Sequence, residues 1–195
     1  EASPYTHVIL DIPHEICAIA KKSILSSTGK GIANQFARLL RKSDYATTRR
    51  IDFEIDEMND PKEFISYIQR AYEISNFWIT FSRPNPVDRN RDFIQPMEKL
   101  LNAANGTTGK TDIKGEGLNS ETLEELTRSA ASTGNNAGAT IQTEGGGNKL
   151  KKQLRGNPVE IRQEHVDDVE SRMTLLQMIK ERYNSIRGNI NQNGD

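Results

Sequence analysis

Residues 60–81 read DPKEFISYIQRAYEISNFWITF, and they hold the two periodicities on which the fold turns. Asp60 stands where a helix N-cap belongs, Pro61 fills the first turn, and Glu63 places negative charge at the positive end of the helix dipole. Phe64, Ile65, Ile68, Ala71 and Tyr72 then recur at helical spacing and give that helix one apolar face. Within a few residues the pattern changes. Residues 77–81, Phe-Trp-Ile-Thr-Phe, are the most hydrophobic strand-forming run and are expected to lie centrally in a sheet, with Trp78 as the largest side chain.

Toward the N-terminus, residues 5–12 and 15–21 are two short β-prone runs separated by Pro13-His14, which predicts an antiparallel hairpin. Ile32, Phe36, Leu39 and Leu40 form a helical stripe, followed by basic residues that suit a helix C-terminus. Ile51, Phe53 and Ile55 alternate with charged residues, the pattern of a half-buried strand. The first 82 residues thus read β-β-α-β-α-β.

Toward the C-terminus, residues 83–90 form a proline-rich loop, and a helix is expected from about 91 to 104, begun or interrupted near Pro96. Residues 111–115 read as a short strand, and Asn119 or Ser120 caps a helix running through Leu123, Leu126 and Ala130. Residues 137–143 and 149–162 flank Gly145-Gly146-Gly147-Asn148 as a hairpin. A last amphipathic helix is expected over 166–186, and an Asn- and Gly-rich tail, 188–195, is expected to be disordered. The pattern predicts an α+β fold with a mixed or mainly antiparallel sheet covered by helices. Its core is 5–104, and 105–187 is a C-terminal part of the same or a second domain.

Composition narrows the function classes. The 195 residues carry a net charge of −1, so no global field draws the chain to nucleic acid or membrane, and such binding needs a local patch. Cys17 is the single cysteine, so no intramolecular disulfide can form. Its apolar surroundings suit a small buried residue rather than a nucleophile. No segment approaches the roughly 20 apolar residues that span a bilayer, and a cytoplasmic protein is expected. The start, Glu1-Ala2-Ser3-Pro4, has neither an initiator Met nor an apolar leader, and reads as an artificial boundary or the start of a domain within a longer protein.

Catalytic motifs are weak. Gly106-Thr-Thr-Gly109-Lys110-Thr111 resembles the end of a phosphate-binding loop, but Ala104 occupies the position of the first glycine, and a helix rather than a strand precedes it. Asp112-Ile113-Lys114 has the acid-x-lysine form of metal-dependent nucleases. Such a site also needs converging carboxylates, for which Asp52 and Glu54 are the candidates. The three histidines are dispersed without ligand spacing, so no structural metal and no cofactor are expected.

Charge placement says more. Residues 52–63 have a local net of −5, and residues 146–163 a local net of +4. Lys149, Lys151, Lys152 and Arg155, together with Arg83, Arg89 and Arg91, are the candidate phosphate-contacting residues for DNA or RNA. On a strand, Lys149, Lys151 and Arg155 share one face and Lys152 points to the other. The plainer reading of the same residues is a solvated edge, protected by charge from edge-to-edge association.

THVILD at 6–11, EICAIAKK at 15–22, TFSRPNPVD at 80–88 and AASTGNNAGATIQ at 130–142 resemble a group of uncharacterised bacterial proteins. The order of short strands and helices is also similar to that of phage-exclusion proteins of the RexA type. The resemblance implies a bacterial setting in phage defence or DNA-associated regulation, and transfers no site residue. A non-enzymatic, nucleic-acid-associated binding protein is therefore the leading expectation. The alternatives are a protein-interaction or homo-oligomerisation module, and a metal-dependent hydrolase built on Asp112 and Lys114.

Overall fold

The computed structural model describes residues 6–82, 93–155, 158–163 and 169–188. The chain divides after Glu57 into two units, Glu1–Glu57 and Met58–Asp195.

In the first unit, strands β1 (Val8–Asp11) and β2 (Ile16–Ile19) pair antiparallel as the sequence predicts, with Leu10 opposite Cys17. The turn between them contains Pro13 and closes through Glu15, whose φ of 54° lies in the left-handed region. Thr28 caps helix α1 (Gly29–Arg41) by accepting from the Gly31 amide at 3.1 Å. Ile32, Ala33 and Ala37 are its buried residues, while Leu39 is 67 % exposed, so the covered stripe is narrower than the apolar pattern. A short helix α2 (Asp44–Arg49) follows, capped by Ser43. The expected strand at 51–56 does not form: these residues join no ladder. Alternation sets which side chains share a face but supplies no partner strand.

The second unit is built on one antiparallel sheet. Helix α3 (Lys62–Arg70) begins one residue later than expected, with Pro61 at the N-cap position rather than Asp60, and the Asp60 carboxylate accepts from the Lys62 amide at 3.1 Å just ahead of it. It stops at Arg70, so helical spacing no longer governs Tyr72, which is 69 % exposed rather than buried. Strand β3 (Glu73–Ser82) follows. Then come α4 (Ile94–Ala103), β4 (Thr108–Lys114), α5 (Ser120–Ser132), β5 (Ala137–Gln142), β6 (Lys149–Gln153) and α6 (Val169–Arg187). The strand order is β4-β3-β5-β6, with β3 and β5 central and β4 and β6 at the edges. The phosphate-loop lookalike is thereby accounted for. Gly106 follows the end of α4, and Thr108–Thr111 already belong to an edge strand.

Phe77, Ile79 and Phe81 on β3 and Ala137, Ala139 and Ile141 on β5 are buried. All of these but Phe81 form one cluster with Phe64 and Ile68 of α3, Leu123, Leu126 and Ala130 of α5, and Ile186 of α6. Thr111 meets Met97 of α4 on the same side. Each fully buried Phe or Ile contributes about 1.5–3 kcal/mol of transfer free energy, so this one-sided layer dominates the unit's stability. A polar clamp fixes the helices to one another. Glu124 of α5 accepts from Arg128 at 2.6 Å and from Gln69 of α3 at 2.6 Å, and Arg128 also donates to the Ser185 carbonyl near the end of α6 at 3.0 Å.

Those donors, Arg128 first, hold the Glu124 carboxyl below its ordinary value against the opposing effect of burial. Stabilisation from a depressed carboxylate is complete above its unfolded pKa and is lost as pH falls through the folded one. Glu124→Gln is expected to cost about 1 kcal/mol at pH 7, and the difference from the parent should shrink toward zero near pH 3. Urea denaturation of both proteins at the two pH values checks this. A difference that does not change with pH contradicts the charged clamp.

Candidate functional site

Directly opposed residues in an antiparallel ladder share a face, so the registers define what the sheet presents on its open face, the side away from its core. One transverse row is Lys114 on β4, Asn76 on β3, Thr140 on β5 and Lys151 on β6. The next row is Asp112, Trp78, Gly138 and Gln153. Lys110 stands opposite Thr80 at one end of the face, and Lys149 opposite Gln142 and Glu73 at the other. A bulge at Ser75 keeps Ile74 and Phe77 on the buried side despite their odd spacing. The open face therefore carries lysines on both edge strands, with a half-buried indole between them.

The indole is placed by a missing side chain. A Cβ on Gly138 would lie 2.5 Å from Trp78 Nε1 and Cε2, so the ring occupies space that any other residue would fill. The buried side has a counterpart, because Phe81 lies against its cross-strand partner Gly109 in the same way. Lys110 Nζ sits over the Trp78 ring, 4.8 Å from its centroid, and 3.3 Å from Asp112. A cation over an exposed ring contributes about 0.5–1 kcal/mol, so Lys110 can leave it at small cost.

Lys149 and Lys151 are exposed on the open face, whereas Lys152 lies on the helix side with its ammonium 4.0 Å from the Tyr67 ring centroid. Arg155, beyond the strand end, is exposed and lines a shallow groove with Lys151, Lys152, Glu63 and Tyr67. Among the described residues, Lys114, Lys149, Lys151 and Arg155 have no ion-pair partner. Arg83, Arg89 and Arg91 lie outside the described residues. The hairpin reading assigned no binding role to Trp78, Lys110 or Lys114. Their signal was present in the period of two, since Trp78 is out of phase with Phe77, Ile79 and Phe81.

Among the described residues no group of three His, Cys, Asp or Glu side chains is arranged to hold a metal ion. Asp112 is engaged with Lys110, and Asp52 accepts from Arg41 at 2.6 Å. Burial pushes the Cys17 thiol up to about 11, which keeps it protonated at neutral pH. No helix of the described residues is long and apolar enough to cross a membrane. No protein-family model, curated protein or solved structure significantly matches the chain.

Gly138→Ala is expected to lift the indole off β5, costing about 1 kcal/mol and red-shifting the emission of the chain's single tryptophan. Emission spectra of the folded proteins test the placement. An unchanged spectrum contradicts it.

Proposed function

We propose that this chain is a non-enzymatic binding protein that contacts the phosphates of nucleic acid through its lysine-rich edge strand. The observation that carries the reading is the set of exposed cations on and just beyond β6, Lys149, Lys151 and Arg155, which are without ion-pair partners among the described residues. Unpaired cations on one strand release counterions from a polyanion without first breaking contacts of their own. Lys152 is set apart from them because its ammonium is committed to Tyr67. The bacterial phage-defence setting belongs to the proposal through the resemblance of the quoted stretches alone.

Self-association through the acidic run at 52–63 is the weaker alternative, because that run is partly spent within the chain. Asp52 pairs with Arg41, Asp60 with Arg182, and Glu63 accepts from the Tyr67 hydroxyl at 2.8 Å. Edge protection explains lysines on β4 and β6 but gives no reason for an indole between them.

Reversing charge at three positions (Lys149→Glu, Lys151→Glu, Arg155→Glu) is expected to weaken binding and lower the slope of log K against log salt by about two. Fluorescence anisotropy with labelled DNA and RNA across a salt series measures both quantities. Binding and slope equal to those of the parent would remove this strand as the contact surface.

A further inference from the structure

Resting on that reading, we infer that the ligand is single-stranded, and that it crosses the open face of the sheet with an unpaired base stacked on Trp78. Four features of the face converge on this class of partner. A half-buried indole is held against the sheet over Gly138, where unpaired bases of any identity can find a π surface. Cations flank it on both sides, with Lys151 on one edge strand and Lys114 on the other in the row next to the ring. Strands lie about 4.8 Å apart, so these two lysines start about 14 Å from each other, a span that a backbone passing over the ring can bridge. Between them stand Asn76 and Thr140, which offer hydrogen bonds without adding charge.

The two carboxylates on the face argue for the same geometry. Asp112 is engaged with Lys110, and Glu73 lies at the far end, beside Gln142, so the Lys114–Lys151 row is clear of acid. A duplex keeps its bases stacked inward and would meet only the edge cations. A single strand can exchange the Lys110 ammonium over the indole for a base. Stacking and phosphate contact do not depend on the sugar, so DNA and RNA strands should both bind.

The full chain is titrated with oligothymidylate, oligouridylate and a duplex of matched length, following both anisotropy and the emission of its one tryptophan. Single strands are expected to quench Trp78 and to bind about ten-fold tighter than the duplex. Trp78→Leu should weaken single-strand binding about ten-fold, Trp78→Phe should restore most of it, and Lys114→Glu should weaken it although Lys114 lies on the strand farthest from β6. Circular dichroism confirms that each variant is folded, and Trp78→Phe supplies the folded control if the Leu variant is not. Equal affinity for duplex and single strand, no quenching, and no effect of Lys114→Glu would overturn the stacking path and leave the lysine edge as the contact surface. Binding to none of the three oligonucleotides at low salt would remove both.

Discussion

Everything in the second unit depends on the alternation of side chains along β3. Phe77, Ile79 and Phe81 point to one side and are buried, and the same pleat forces Trp78 to the other. Phe77 is 0 % exposed, and its side of the sheet collects residues from α3, α5 and α6 into one core. Within this unit α3, α5 and α6 cover that side, and the opposite side carries the polar and cationic residues. The open face is thus a consequence of how the core is satisfied. Slipping β3 by one residue would bury Trp78, Asn76 and Thr80 and expose three large apolar side chains, so the register is strongly fixed.

Glycine completes the division. Gly109 and Gly138 face opposite aromatic rings across the ladder and let Phe81 and Trp78 lie against the sheet on its two sides. One ring joins the buried side, and the other lies between two lysine-bearing edges. A chain with a net charge of −1 thereby presents a lysine-bearing surface, because its acids are paired, two of them away from that face and one upon it. Asp60 is tied to Arg182, Glu124 to Arg128 and Gln69, and Asp112 to Lys110.

Much of this was legible in the sequence. A helix start at Asp60-Pro61 (to within one residue), the Asn119 cap, the Gly-rich hairpin tip and the outward direction of Lys149 and Lys151 all follow from local chemistry, and local chemistry carried through to the structure. What failed required knowledge of a partner. Ile51, Phe53 and Ile55 have the alternation of a strand but find no ladder, and Leu39 has helical spacing but little to cover it. The proposed binding face was only half visible for the same reason. Lys149 and Lys151 attract notice as a charge cluster, whereas Lys114 and Trp78 join them only through pairs distant in sequence, Asn76 with Lys114 and Trp78 with Gly138. Asp112-Ile113-Lys114 has the local form of an acid-lysine motif, while its strand register assigns Lys114 to the same face as Lys151.

Amide and indole chemical-shift mapping on the isotope-labelled chain, titrated with oligothymidylate, locates the contact surface without presupposing any residue. The expected result is a connected set of shifts on β3, β4 and β6 that includes the Trp78 indole N–H and leaves the α5 core helix unmoved. Shifts confined to the helices, or an indole resonance that stays in place while the oligonucleotide binds, would contradict recognition by the open face of the sheet.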